Sequence, residues 1–493
     1  MTDPDPDPPT DPASSLPLRP PRLMRPERDR VELREVCLDS LVAPDHPVRA
    51  IWQFVQSCDL DALSASIKAR EGHAGRPAID PAILFALWLW ATLDKVATAR
   101  HIDRLCKRDD TYRWLCGGVG VNYHALSDFR SHRGDWLDAQ LTRSVGALIS
   151  AGVVELATVA QDGMRVRAHA KAASFRRAAS LEEALGRAKA RVAELAAERA
   201  AAVTGAEGGR SRAAKERAAR ERQQALERAV ATMAELQKAR DAAGTSSDPG
   251  RDGSPEDGGG SGSGGAAPPA PAEPQAKASQ KQKGKKTAEL RVSSTDPEAR
   301  VMKMADGGFR PAYNLQFAVD VATRLVVGVD LVNAGSDSAQ LVPMHEQLFV
   351  RYGRRAGTYL VDGGFTTLAA IQRLSDDGVR VLAPRPASRK EGVDPGARKR
   401  GDTDEIAAWR ARMDTEQAKL EYRERAATSE WSNAQAREHG LDRFEVVGPE
   451  KARAVGLLHA LAQHVMGRAR LARAGIELSQ GAMGAMGACA AMG

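Results

Sequence analysis

Thr158-Val159-Ala160-Gln161-Asp162-Gly163-Met164 is the stretch on which the fold turns. A short apolar run reaches an aspartate and passes straight to glycine, which reads as a strand delivering a carboxylate at its end. The same phrase returns where Thr358-Tyr359-Leu360-Val361 runs into Asp362-Gly363-Gly364-Phe365. A third acid, Glu430, lies in a helical, basic stretch from Tyr422-Arg423-Glu424-Arg425 through Glu430-Trp431 to Arg437. Two carboxylates at strand ends and one on a later helix can converge on a pair of divalent metal ions. Such a site activates an oxygen nucleophile against a phosphodiester.

Magnesium is a hard cation that prefers carboxylate and phosphate oxygens. Glycine after each aspartate lets the chain turn without a Cβ clash beside the metals. Asp-Gly is also a common turn dipeptide, and a lone instance is more often a turn than a ligand. The chain carries a decoy in Asp306-Gly307-Gly308-Phe309, but Val301 to Ala305 makes a poorer buried strand and Arg310-Pro311 favours a loop, so Asp362 is preferred. Asp320 and Asp330 read as hairpin-turn residues. Tyr422 and Arg425 precede Glu430 by about two turns and one turn of helix, and Arg437 follows it by about two. A phenol and two cations on neighbouring faces suit a grip on DNA phosphates. A surface helix of mixed charge fits the same spacing.

Outward from these acids, strand patterns occupy Tyr313–Asp320, Leu325–Asp330, Tyr359–Asp362 and Val379–Leu382. Helical patterns lie near Gln340–Tyr352, Leu368–Leu374, Thr403–Glu438 and Lys451–Ala474. This order describes a mixed α/β sheet flanked by helices, built from residues 152–180 and 288–474. Residues 30–151 read as helices, with Val48, Ile51, Trp52 and Val55 on one apolar face and Pro81 opening a buried Ala82–Leu93 helix. They suit a helix-turn-helix-like DNA-binding bundle or an ordinary helical packing domain. Leu181, Leu185, Ala188, Val192 and Leu195 make a coiled-coil seam, resumed by Ala219, Leu226, Val230, Met233 and Leu236 after a Gly turn. Residues 181–242 therefore read as an antiparallel helical hairpin, closed within one chain. Residues 243–287 form a Gly/Ser/Pro/Ala linker with a lysine-rich end, 1–29 a disordered terminus, and 475–493 a low-complexity tail.

Net charge is +7 with a pI near 9.2, which favours polyanionic partners such as nucleic acid. Five cysteines without a Cys-x-x-Cys pair argue against a disulfide framework. The Pro- and Asp-rich N-terminus does not read as a signal peptide, and the longest apolar run is too short to span a bilayer.

Taken together, these segments resemble a bacterial insertion-sequence transposase of the DDE class, in particular the insertion-sequence eleven-eighty-two group, related to the IS-four/IS-five type. The resemblance is carried by Asp162-Gly163-Met164-Arg165-Val166-Arg167-Ala168, Ser174-Phe175-Arg176-Arg177, Ser294 to Arg300, Asp306 to Phe309 into Tyr313-Asn314, Asp362 to Phe365, and Glu421 to Gly440. Gly75-Arg76-Pro77 and Tyr112-Arg113-Trp114-Leu115 resemble the group's helical domain. It implies an RNase H-like catalytic core in which Asp162, Asp362 and Glu430 are the catalytic acids and hold Mg2+ (or Mn2+), two ions in all. It further implies cleavage and strand transfer at terminal inverted repeats of double-stranded DNA, a homodimer when engaged on DNA, and action at the bacterial nucleoid in the cytoplasm. The group's signature is Tyr-x-x-Arg-x-x-x-Glu followed, after six intervening residues, by Lys. Here four residues separate Arg425 from Glu430, which leaves Glu424 as a second candidate acid, and Arg437 takes the place of the Lys. A nuclease without strand transfer, and an inactive DNA-binding repressor descended from a transposase, are the alternatives.

Overall fold

The computed structural model describes residues 37–69, 77–201, 209–245, 289–385 and 394–475. The expectations for the N-terminus, Gly75-Arg76, the Gly turn of the hairpin, most of the linker and the tail beyond residue 475 lie outside the described residues.

The chain begins with helices α1 (Pro47–Gln56), α2 (Asp61–Ala65), α3 (Pro81–Leu93), α4 (Ala99–Leu105), α5 (Asp110–Cys116), α6 (Tyr123–His132) and α7 (Gly134–Ser150). Strand β1 (Thr158–Arg167) follows, then β2 (Phe175–Arg176), the long helices α8 (Ala178–Ala201) and α9 (Gly209–Thr245), and β3 (Val292–Ser293). Next come β4 (Arg300–Lys303), β5 (Phe309–Asp320), β6 (Val326–Val332), α10 (Leu341–Tyr352), β7 (Thr358–Leu360), α11 (Leu368–Asp376) and β8 (Arg380–Leu382). Helices α12 (Asp404–Arg412), α13 (Glu416–Arg425), α14 (Trp431–Glu438) and α15 (Pro449–Arg473) complete it.

The main sheet is mixed. β1 runs antiparallel to β5 on one side and parallel to β7 on the other, and β7 pairs in parallel with β8. β4 and β6 both pair antiparallel with β5. β1 does not stop at the aspartate, as its apolar run suggests. β5 pairs with it from Val159 to Arg167, so Asp162 is the fifth residue of a ten-residue strand. Asp330 likewise lies within β6, while Asp320 closes the β5–β6 turn by accepting hydrogen bonds from Thr323 N and Oγ1.

The apolar run Ala82–Leu93 forms α3, with Pro81 in its first turn and Asp80 Oδ1 accepting from Ala82 N at 2.8 Å. Its residues are buried nearly all round, as a central helix requires. α15 is similarly enclosed. It packs on α1, α3 and α7 on one side and on β5 and β6 on the other. A Cβ at Gly456 would stand 2.6 Å from Leu315 Cδ1, and one at Gly467 2.5 Å from Leu325 Cδ2, so glycine permits this approach to the sheet. Through α15 the N-terminal helices and the sheet share one continuous core. The α8–α9 hairpin has its own small core of Leu181, Ala184, Leu226, Ala229 and Met233 with Val292. The antiparallel β2–β3 ribbon ties together the two ends of this insertion, so the sheet is undisturbed. The long helical pattern from Thr403 is broken at Met413–Thr415, where Thr415 caps α13.

His464 on α15 joins these layers. Its Nε2 is 2.7 Å from Ser144 Oγ on α7, and its ring lies 6.4 Å from that of Phe54 on α1. Burial pushes the imidazole down to about 3. The unfolded chain takes up this proton near ~6.5, so the stabilisation is complete above that pH and is lost as pH falls towards the folded value. His464→Gln keeps a polar partner for Ser144 without titrating. Its unfolding free energy relative to the parent should therefore rise by about 2 kcal/mol between pH 7 and 5. Denaturant melts at the two pH values measure this, and a parent–variant difference independent of pH would refute it.

Candidate active site

The register of β1 and β7 builds the centre of the site. Ala160 pairs with Leu360, so Asp162 and Asp362, each two residues further along parallel strands, emerge side by side. β7 ends there, and Asp362 leads into a tight turn, Gly363–Phe365, with its Oδ1 accepting from Gly364 N at 2.8 Å. Asp162 is held at both oxygens: Oδ1 accepts from Gly163 N at 2.9 Å and Oδ2 from Asn433 Nδ2 at 3.0 Å. The two aspartates line one cleft of about 600 Å³ with Asp337, Arg165, Arg167 and Arg437.

Asp337 follows β6 in a polar loop. Its Oδ1 accepts from Asn314 Nδ2 at 2.6 Å and from Gln316 Nε2 at 2.7 Å, both on β5. These three side chains fill the space over Gly163. A Cβ there would stand 2.3 Å from Asp337 Oδ1, 2.4 Å from Gln316 Nε2 and 2.7 Å from Asn314 Oδ1. Gly163 is therefore a strand residue without a side chain because its neighbours occupy the space, and not the turn glycine that Asp-Gly suggests. Neither Asp337 nor Asn433 stands out in the sequence. For Asp337 the available signal was a polar run, Asn333-Ala334-Gly335-Ser336-Asp337-Ser338, directly after a buried strand.

Burial pushes the Asp162 carboxyl up to about 6; the Arg425 guanidinium opposes this, and the charges of Asp362 and Asp337 add to it. Arg425 Nη1 is 4.0 Å from Asp162 Oδ2, and its guanidinium lies 5.9 Å from the Tyr422 ring. Burial also raises the Tyr422 phenol, with Asp362 and Asp162 adding to that rise. Tyr422, Arg425 and Arg437 thus all belong to the surroundings of the two aspartates.

Glu430 is placed differently. It does not line the cleft; its side chain is 60% exposed, and Oε1 is 3.3 Å from Arg425 Nη2. Between α13 and α14 the helix widens into a π-turn, Ala426–Glu430. A π-turn absorbs one extra residue in a helix. It sets Arg425 and Glu430, five apart, on one side, so the spacing that departs from the signature is taken up in backbone geometry. Glu424 is exposed and one position from Arg425. Asn433, three residues past Glu430, is the α14 residue that touches Asp162. Among the described residues, no three Asp, Glu, His or Cys side chains stand close enough to hold an ion.

The sheet and this cleft agree with the families that the chain matches. Residues 36–132 match a family described as a transposase domain (DUF772), and residues 279–458 match the transposase DDE domain. Asp362 and Glu430 fall inside the second match, and Asp162 precedes it. No curated protein and no solved structure matches the chain. The two family matches together take in more than half of the sequence, and the chain is an insertion-sequence DDE transposase, an enzyme acting on DNA. Divalent metal ions are the general requirement of such enzymes. No described helix is long and apolar enough to cross a membrane.

Proposed function

We propose that this transposase cuts the ends of its element and joins them to target DNA at the Asp162–Asp362 cleft, within an RNase H-like core of residues 152–180 and 288–474. The observation that carries the reading is the parallel register that sets these two aspartates side by side. A central strand with antiparallel partners on one side and two parallel strands on the other supports the RNase H-like assignment. Residues 30–151 are assigned to DNA engagement, and the hairpin at 181–242 is an insertion in the core. The insertion-sequence eleven-eighty-two group remains the best-fitting subgroup because its signature segments recur in order.

The donors suit a hard divalent cation. Asp162 is a buried carboxylate beside two further negative charges, and Arg425 at 4.0 Å is the cation paired with it among the described residues. Asp162 and Asp362 would hold Mg2+ or Mn2+, and Glu430, which lies outside the cleft with Oε1 3.3 Å from Arg425 Nη2, would have to leave that partner to serve as the third acid. When bound, such ions activate the attacking oxygen and stabilise the leaving one. The chain's own groups do the rest. Gly163 N and Asn433 fix the Asp162 carboxylate. Arg425, Tyr422 and Arg437 receive the phosphate oxygens. Water adds to phosphorus as the bond to the 3′-oxygen breaks, leaving a 3′-hydroxyl and a 5′-phosphate. That hydroxyl then attacks a target phosphodiester, so one P–O bond replaces another. Two ends must be brought together for joining, which favours a homodimer on DNA, and action on chromosomal DNA places the reaction in the bacterial cytoplasm.

Purified protein should nick duplexes bearing the terminal repeats in Mg2+ and join a supplied pre-cut 3′-end to a plasmid. Both products should vanish in EDTA. Nicking without joining would replace this reading with that of a plain nuclease, and metal-supplemented protein inert on its own repeats would leave a DNA-binding repressor.

A further inference from the structure

The α8–α9 hairpin stands over a second cleft of about 830 Å³, distinct from the catalytic one. Its lining includes Lys171, Arg176, Arg222, Arg228, Lys451 and His169, against one carboxylate, Glu221. The cations come from separate elements: the segment after β1, the β2 ribbon, α9 and the first turn of α15. Among the described residues none of Lys171, Arg176, Arg222, Arg228 and Lys451 is in an ion pair with a carboxylate. Arg222 Nη1 reaches only the Ser294 carbonyl, at 3.4 Å, and Arg176 Nε is buried with no hydrogen-bond partner. Solvated surface helices normally interleave their charges, and elsewhere on this hairpin Arg187 pairs with Glu183, Arg191 with Glu194, and Arg199 and Arg220 with Glu216. The cleft gathers five cations without a carboxylate partner on one concave wall, beside His169, whose Nδ1 is 3.3 Å from Glu445 Oε2.

β1 connects this wall to the active site. Beyond Asp162 its alternate residues Gly163, Arg165 and Arg167 line the catalytic cleft, and the chain continues to His169 and Lys171 in the hairpin cleft. At about 3.3 Å per residue, Asp162 and Lys171 are at most about 30 Å apart. Duplex DNA advances about 3.4 Å per base pair, so the second cleft falls within about nine base pairs of a phosphate at the catalytic aspartates.

We propose that the cleft beneath the hairpin binds the phosphate backbone of double-stranded DNA up to about nine base pairs from the bond being cut, which makes the insertion a clamp on the flanking duplex. This rests on the assignment of Asp162 and Asp362 as the reacting site.

The test uses the full chain and a duplex carrying the element end. Arg222→Ala/Arg228→Ala removes two exposed cations from α9 while leaving the hairpin seam of Leu226, Ala229 and Met233 intact. Lys451→Ala removes one from a different element, so a folding defect in the hairpin would not leave the question open. The control Lys189→Ala/Lys238→Ala discards the same charge outside the cleft lining. For every phosphate that a cation no longer neutralises, the slope of log K against log salt should shrink by about 0.9, so the Arg222/Arg228 variant should lose about 2 and Lys451→Ala about 1. Hydroxyl-radical protection should disappear on the flanking duplex and persist at the scissile phosphate, while the control keeps the parental slope and footprint. Parental slopes and footprints in both cleft variants would overturn the proposal. So would an unchanged DNA footprint combined with lost binding of a polyglutamate peptide, which would give the cleft to an acidic protein. The footprint needs no turnover: flanking protection unchanged by the cleft substitutions, in a protein that nicks its repeats, refutes the clamp alone, whereas flanking protection lost in the variants of a protein that never nicks refutes the assignment of the active site.

Discussion

Asp162→Asn should abolish metal-dependent cleavage, lowering the rate by about a thousandfold or more, and yet make the metal-free protein harder to unfold. The amide is nearly isosteric with the carboxylate. Its oxygen can still accept from Gly163 N, and Asn433 can turn its amide so that Oδ1, a buried acceptor without a partner, receives the new NH2 group. Charge is what the substitution removes. Burial holds the Asp162 carboxyl up at about 6 against an ordinary value of 3.8, so its ionisation near neutral pH costs the folded state up to about 3 kcal/mol. The sign follows from linkage. A carboxyl raised in the folded state favours folding while protonated, and that advantage is lost as pH rises from the unfolded value through the folded one. The gain from Asp162→Asn should therefore be absent below pH 4 and complete above pH 6. Adding Mg2+ should raise the melting temperature of the parent more than that of the variant. Binding to the terminal repeats should survive. Melting curves in EDTA across this pH range, with cleavage assays alongside, test all of this. A variant that still cuts, or one that is less stable at pH 7.5 without metal, would contradict the assignment of Asp162.

Gly163→Ala should be nearly as damaging, by a different route. The new methyl would meet Asp337 Oδ1, Gln316 Nε2 and Asn314 Oδ1, all closer than real Cβ contacts come. These atoms are the ends of side chains, which elsewhere could swing away cheaply. Here Asn314 Nδ2 and Gln316 Nε2 both donate to Asp337 Oδ1, Asn314 and Gln316 are wholly buried, and Gln316 Oε1 also accepts from Gln161 Nε2 at 3.2 Å. Relieving the clash breaks at least one buried hydrogen bond, at about 3 kcal/mol once the stranded group is counted. It also shifts the strand that carries Asp162, so cleavage should fall more than binding does. Gly163→Ala/Asp337→Ala removes the nearest of the three blocking atoms and unties Asn314 and Gln316 so that they can swing aside, at the cost of their shared acceptor, and should recover only part of the lost stability. Denaturant melts of the single and double variants measure this. A single variant as stable as the parent would mean that the Asp337 latch yields freely.

Much of this site was legible one residue at a time. Asp362 is where its local phrase puts it, at the end of a short strand entering a glycine turn. The apolar run Ala82–Leu93 behaves as a buried helix because no face of it is polar. Asp162 was legible as an acid on a strand but not as a residue within one, because β5 extends β1 beyond its apolar run. Glu430 was legible as a residue of a helical stretch, yet the π-turn that pairs it with Arg425 depends on backbone geometry that spacing alone only hints at.

By itself, the chain determined which segments alternate as strands, which repeat as helices, and which acids those elements carry, since local periodicity and turn chemistry act over a few residues. Only the tertiary structure decided that Asp337 and Asn433 belong beside Asp162, that α15 welds the N-terminal helices to the sheet, and that the hairpin overhangs a cationic wall. Those outcomes depend on register and on close approach between segments far apart in sequence. Such approaches are set by which surfaces can be buried together, and no short stretch of residues encodes them.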